Sequence, residues 1–121
     1  MKTFPVIALL YFLPWHHMTA QVMDDFSDGN FTTTPSWVGS TSDFIINGSG
    51  QLQLNATAAG KSWMSTGFAV NPNQITVWEF YVKQSFAPSG ANFGRFYLMS
   101  DEVDLSAPLN GYFLQFGEAG S

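Results

Sequence analysis

The sequence predicts an all-β fold, an antiparallel sandwich of the jelly-roll kind. Three observations lead there. Beyond the first 20 residues no stretch repeats apolar side chains at a helical period. Short runs rich in β-branched and aromatic residues, about six to eight of them, are cut apart by Gly, Pro, Asn and Asp. The longest run, Ile75 to Gln84, alternates like a strand. It sets Thr76, Trp78, Phe80 and Val82 on one side and Ile75, Val77, Glu79, Tyr81 and Lys83 on the other. The first set is the better core face. The second is aliphatic, then polar, which suits an antiparallel sheet packed on one side and partly wet on the other. An up-and-down barrel is the alternative, and no internal repeat supports a β-helix.

Met1 to Ala20 reads as a secretory signal peptide. Lys2 supplies the positive start, Phe4 to Trp15 the apolar stretch, and Ala20 a small residue before the cut. About a dozen apolar residues fall short of the roughly 20 that a spanning helix needs, which argues against a membrane anchor. Cleavage there removes His16 and His17, the only two histidines of the chain. With no Cys either, residues 21–121 can hold no Ser-His-Asp triad, no Cys-His pair and no His-ligated zinc.

Those 21–121 residues are expected to form one β-sandwich module. Val22 to Phe26 reads as an edge strand and Ser27 to Asn30 as a turn, since Gly and Asn accept positive φ. Phe31 to Thr41 reads as a loop in which Trp37 is an anchor or a stacking platform; burial makes the anchor the commoner use. Asp43 to Asn47 and Gln51 to Asn55 read as a hairpin around Gly48-Ser49-Gly50. Ser62 to Phe68, Phe93 to Ser100 and Tyr112 to Phe116 are the remaining strands, separated by Pro-, Asn- and Gly-bearing loops. The last strand is apolar and nothing covers it, so the sandwich is expected to be incomplete at its C-terminus, a fragment of a longer protein.

Charge narrows the partners. Four Lys and Arg stand against nine Asp and Glu, a balance that offers no basic patch for nucleic acid and no pull toward anionic membranes. Only 11 % of residues are charged, while small polar residues abound, a composition that suits an extracellular β-protein.

Several segments together resemble a known family. They are DDFSDGNF (Asp24 to Phe31), PSW (Pro35 to Trp37), the run Asp43 to Gly60, the run Trp78 to Leu105, and NGYFLQFGEAGS (Asn110 to Ser121). They are similar to the N-terminal concanavalin A-like (laminin-G-like) jelly-roll module of secreted Bacteroidetes proteins that also carry lamin-tail domains. The resemblance implies export, further modules downstream and a jelly roll continued beyond Ser121. It carries no catalytic residue onto this chain.

Three groups of residues could carry chemistry. Asp24, Asp25 and Asp28 could supply part of the roughly six to eight oxygens that calcium takes, although the closing Glu of an EF-hand loop is missing. The plainer account is solvated acids beside a turn. Glu102-Val103-Asp104 superficially resembles the start of a laminarinase-type acid motif, but Ser106, Ala107 and Pro108 stand where the closing acid belongs. The carboxylate pair of a glycosidase is then incomplete. The third group is the wetter sheet face: Glu79, Tyr81, Arg95, Tyr97, Phe113 and Gln115, if the last three strands are neighbours. Rings pack on the apolar faces of pyranoses, and Arg, Glu and Gln reach hydroxyls, so this face could bind glycan. The competing account is sheet stabilisation, with Glu79 and Arg95 as a cross-strand ion pair. The expectation is an exported, non-catalytic module of a larger cell-surface or secreted protein, binding glycan or serving adhesion. A purely structural N-terminal domain is the alternative, and a glycoside hydrolase fragment the third.

Overall fold

The structure is a computed structural model that describes residues 22–118. The expected signal peptide lies outside them. Among the described residues the fold is all-β, with one 3-10 turn over Thr41–Asp43. No helix there is long and apolar enough to cross a membrane. The strands are β1 (Val38–Gly39), β2 (Phe44–Ile46), β3 (Leu52–Leu54), β4 (Met64–Ser65), β5 (Gly94–Ser100) and β6 (Gly111–Phe116). They pair as three separate two-stranded antiparallel sheets: β1 with β4, β2 with β3, and β5 with β6.

The β2–β3 hairpin follows from its turn chemistry. Asn47 Oδ1 accepts from the amides of Ser49 (2.9 Å) and Gln51 (3.1 Å), and Asn47 N donates to Gln51 O at 2.9 Å. Gly50 closes the turn at φ +69°, where a side chain is disfavoured. Phe44 faces Leu54 and Ile46 faces Leu52, so the four apolar residues share one side.

The β1–β4 pair joins residues far apart in sequence. Val38 faces Ser65 and Gly39 faces Met64. Ser40 N donates to Trp63 O at 2.8 Å, which draws Trp63 against the backbone of Gly39. Trp37 is the anchor of its loop: its Nε1–H donates to Asp24 Oδ2 at 2.8 Å, and its ring lies 6.2 Å from Phe26.

Ile75 to Gln84 departs from the expected strand. It joins no sheet. Its alternation nevertheless survives in burial: Thr76, Trp78 and Phe80 are half-buried, whereas Ile75, Val77 and Tyr81 are 92 %, 78 % and 95 % exposed. Side-chain contacts, rather than a backbone ladder, hold the segment. Phe80 stacks on Phe96 with ring centroids 3.6 Å apart, and Trp78 meets Phe68 edge-on at 6.4 Å. The Val22 to Phe26 edge strand is likewise absent. Its side chains bond to nearby turns instead, the competition that Asp and Asn offer to sheet pairing.

β5 and β6 form the largest sheet. Their register pairs Arg95 with Gln115, Phe96 with Leu114 and Tyr97 with Phe113. A bulge then leaves Leu98 without a partner and sets Met99 opposite Tyr112. Simple alternation groups Met99 with Arg95 and Tyr97. The bulge moves it to the side of Tyr112 and Leu114.

Candidate functional site

The two sides of β5–β6 differ in chemistry. Phe96 faces Leu114 on one side, and Phe80 covers Phe96 there. The other side carries Arg95, Tyr97, Phe113 and Gln115, two cross-strand pairs separated by one residue along each strand.

These four side chains form a connected cluster. Arg95 Nε donates to Gln115 Oε1 at 2.8 Å. Gln115 Nε2 donates in turn to Gly117 O at 2.7 Å, which fixes the amide with its oxygen toward the arginine. The guanidinium carbon lies 4.7 Å from the centroid of Phe113 and 5.0 Å from that of Phe93, within the range of cation–π attraction. Tyr97 leans on Phe113 with centroids 5.2 Å apart and planes at 48°. Two aromatic rings thus bracket one guanidinium, and a third ring extends the apolar surface beside it. The result is an open platform. A separate shallow depression, lined by Met99, Ser100, Asp101, Asn110, Gly111 and Tyr112, lies at the far end of the sheet.

Of the six residues the sequence groups on this face, contacts bring four together. Glu79 and Tyr81 alternate with Phe80 on the unpaired segment and are exposed. Glu79 forms no hydrogen bond to Arg95 among the described residues; the guanidinium turns to Gln115 instead. Phe93 is the member absent from that group of six. Its place two residues before Arg95 is the signal that could have found it.

The acids sit elsewhere, each in its own local bond. Asp24 accepts from Phe26 N (2.8 Å) and Trp37 Nε1 (2.8 Å). Asp25 accepts from Ser27 N at 3.0 Å, and its bonds to Ser27, side chain and backbone, hold its carboxyl below the usual range. Asp28 accepts from Asn30 N at 3.1 Å and Nδ2 at 2.6 Å. Among the described residues no three His, Cys, Asp or Glu side chains converge on a point where a metal would sit.

Glu102 and Asp104 lie in the β5–β6 connection and are exposed. Asp104 Oδ1 accepts from Ser106 Oγ (2.6 Å) and N (2.8 Å), and these bonds lower its pKa. Asp101 spans the same connection. It accepts from Asn110 Nδ2 at 2.8 Å and Asn110 N at 2.7 Å, and its pKa is lowered by the same two bonds. Both shifts come from short local bonds within the connection, which favour the ionised carboxylate.

In comparisons with known proteins, no family model, no curated protein and no solved structure matches the chain.

Proposed function

We propose that the chain is an exported, non-catalytic module of a larger cell-surface or secreted protein, built toward an antiparallel jelly-roll sandwich, and that it binds glycan through the outer face of β5–β6. The bracketed guanidinium carries this reading: Arg95 between Phe93 and Phe113, with Tyr97 extending the ring surface and Gln115 orienting the charge. Sugar rings need flat apolar surface beside directional donors, and this face offers both within two cross-strand pairs. Its openness suits an extended polysaccharide better than an enclosed small molecule. The sequence resemblance to exported laminin-G-like modules supports the location.

A purely structural module is the second reading, and one observation favours it. Arg95 and Gln115 already bond to each other, so the face can serve as sheet stabilisation with no ligand. A glycan array probed with the purified chain, with and without calcium, separates the two. Saturable binding that falls in Tyr97→Ala, with the circular dichroism spectrum unchanged, supports the platform. A folded, monodisperse chain that binds nothing leaves the structural module. Loss of binding with chelator would also implicate calcium at Asp24, Asp25 or Asp28.

A further inference from the structure

We infer that the β5–β6 platform takes its glycan by a carboxylate, so that its ligand class is polysaccharide containing hexuronate units; this rests on the glycan reading above. The argument begins with what Arg95 leaves unused. Its Nε–H is spent on Gln115, and Gln115 is itself fixed by Gly117 O. The bond to Gln115 and the rings of Phe93 and Phe113 restrain the guanidinium. Both Nη groups remain without a hydrogen-bond partner among the described residues, and no Asp or Glu there pairs with the charge. A planar guanidinium held in one orientation presents its Nη donors as a fork, and a carboxylate matches that fork with two parallel bonds. Neutral hydroxyls would use the donors singly and leave the charge uncompensated.

The rings decide which carboxylate fits. Phe113 lies under the guanidinium, and Tyr97, 5.2 Å from it on the same side of the sheet, supplies the ring surface next to the fork. A pyranose stacked there would bring a substituent of its own ring toward Arg95, as a uronic acid does with its C5 carboxylate. The chain's net charge of −5 opposes an acidic ligand at long range. That opposition is screened beyond about 8 Å at physiological ionic strength, whereas a contact pair at the fork is not. Recognition is therefore local, and it depends on the orientation of one arginine.

The test uses the purified full chain and four probes in titration calorimetry: tri-galacturonate, its methyl ester, neutral tri-galactose and poly-glutamate. The expected result is that tri-galacturonate binds about tenfold or more tightly than the ester or the neutral sugar. Arg95→Lys keeps the charge but not the fork and should erase most of that difference. Gln115→Glu leaves the arginine in place but supplies an internal acid, and should weaken tri-galacturonate while sparing tri-galactose. This second variant keeps the question open to decision if the first fails to fold. Equal binding of acid and ester overturns the carboxylate and leaves the glycan reading standing. Poly-glutamate binding as tightly as tri-galacturonate overturns the sugar part and points to an acidic peptide. No binding to any probe overturns the hexuronate assignment, and the glycan array then decides separately whether the broader reading survives.

Discussion

At the scale of single residues, Gly39 combines a positive φ with a close steric contact. Its φ of +128° lies where only glycine is at ease, and a Cβ there would meet Trp63 O and, at 2.7 Å, the ring carbon Cε3. The residue must be bare for the β1–β4 pair to close. Gly39→Ala should therefore destabilise the chain by on the order of 1–3 kcal/mol, read as a fall in the urea midpoint. Gly48→Ala is the matching control, since nothing lies within 4 Å of the new methyl. It should stay within about 0.5 kcal/mol of the parent. Equal effects from the two would mean that Trp63 does not press on Gly39. Tryptophan emission adds a second readout, because displacement of Trp63 in Gly39→Ala should shift the spectrum to the red.

At the scale of elements, the connection between β5 and β6 is closed by one carboxylate. Asp101 N donates to Asn110 O at 3.0 Å, and the Asp101 side chain accepts both donors of Asn110. Those bonds favour the ionised form, so the folded pKa lies below the ordinary value near 3.9. The stabilisation is then fully present above the unfolded value and is lost as pH falls through the folded one. A carboxyl titration by NMR should place the Asp101 midpoint below that of a model peptide, with exchange of the Asn110 amide rising only below it. A midpoint at or above the peptide value would show that the clamp is open in solution, and Asp101→Asn should remove the pH dependence. The same elements show what the sequence discloses. The β2–β3 hairpin and both strands of the site are legible because alternation and turn residues are local signals, as at Asn47 and Gly50. The pairing of Arg95 with Gln115 and Tyr97 with Phe113 follows from that alternation once β5 and β6 are neighbours. The bulge at Leu98 carries no local signal, so Met99 changes sides unannounced. The β1–β4 pair depends on Trp63 reaching a distant glycine, and no pattern within β1 reports that. The strongest strand signal, at Ile75 to Gln84, fails because propensity describes fit to a pleated surface and does not supply a partner.

At the scale of the whole chain, the three sheets do not merge, and none of the described residues is fully buried. The platform is supported mainly from behind, where Phe80 stacks on Phe96. That contact also ties Ile75 to Gln84 to the sheet, so a loosening of the one loosens the other. Partial burial limits stability, because hydrophobic stabilisation scales with the apolar area removed from water. Ile75, Val77 and Tyr81 contribute little of it at 92 %, 78 % and 95 % exposure. The slope of urea unfolding follows the area exposed on unfolding. The purified chain should accordingly unfold with a slope below about 1 kcal/mol/M, beneath the usual range for small proteins, and should bind the dye ANS before the transition. A steep, cooperative transition with no dye binding would mean that these apolar side chains are covered in solution. Phe80→Ala connects this scale to the site. The side chain lies on the face of β5 opposite Arg95, so its removal makes no direct change at the fork. If the platform depends on its backing, tri-galacturonate affinity should still fall several-fold, together with the unfolding midpoint. Affinity unchanged while the midpoint falls would show that β5–β6 holds its shape alone.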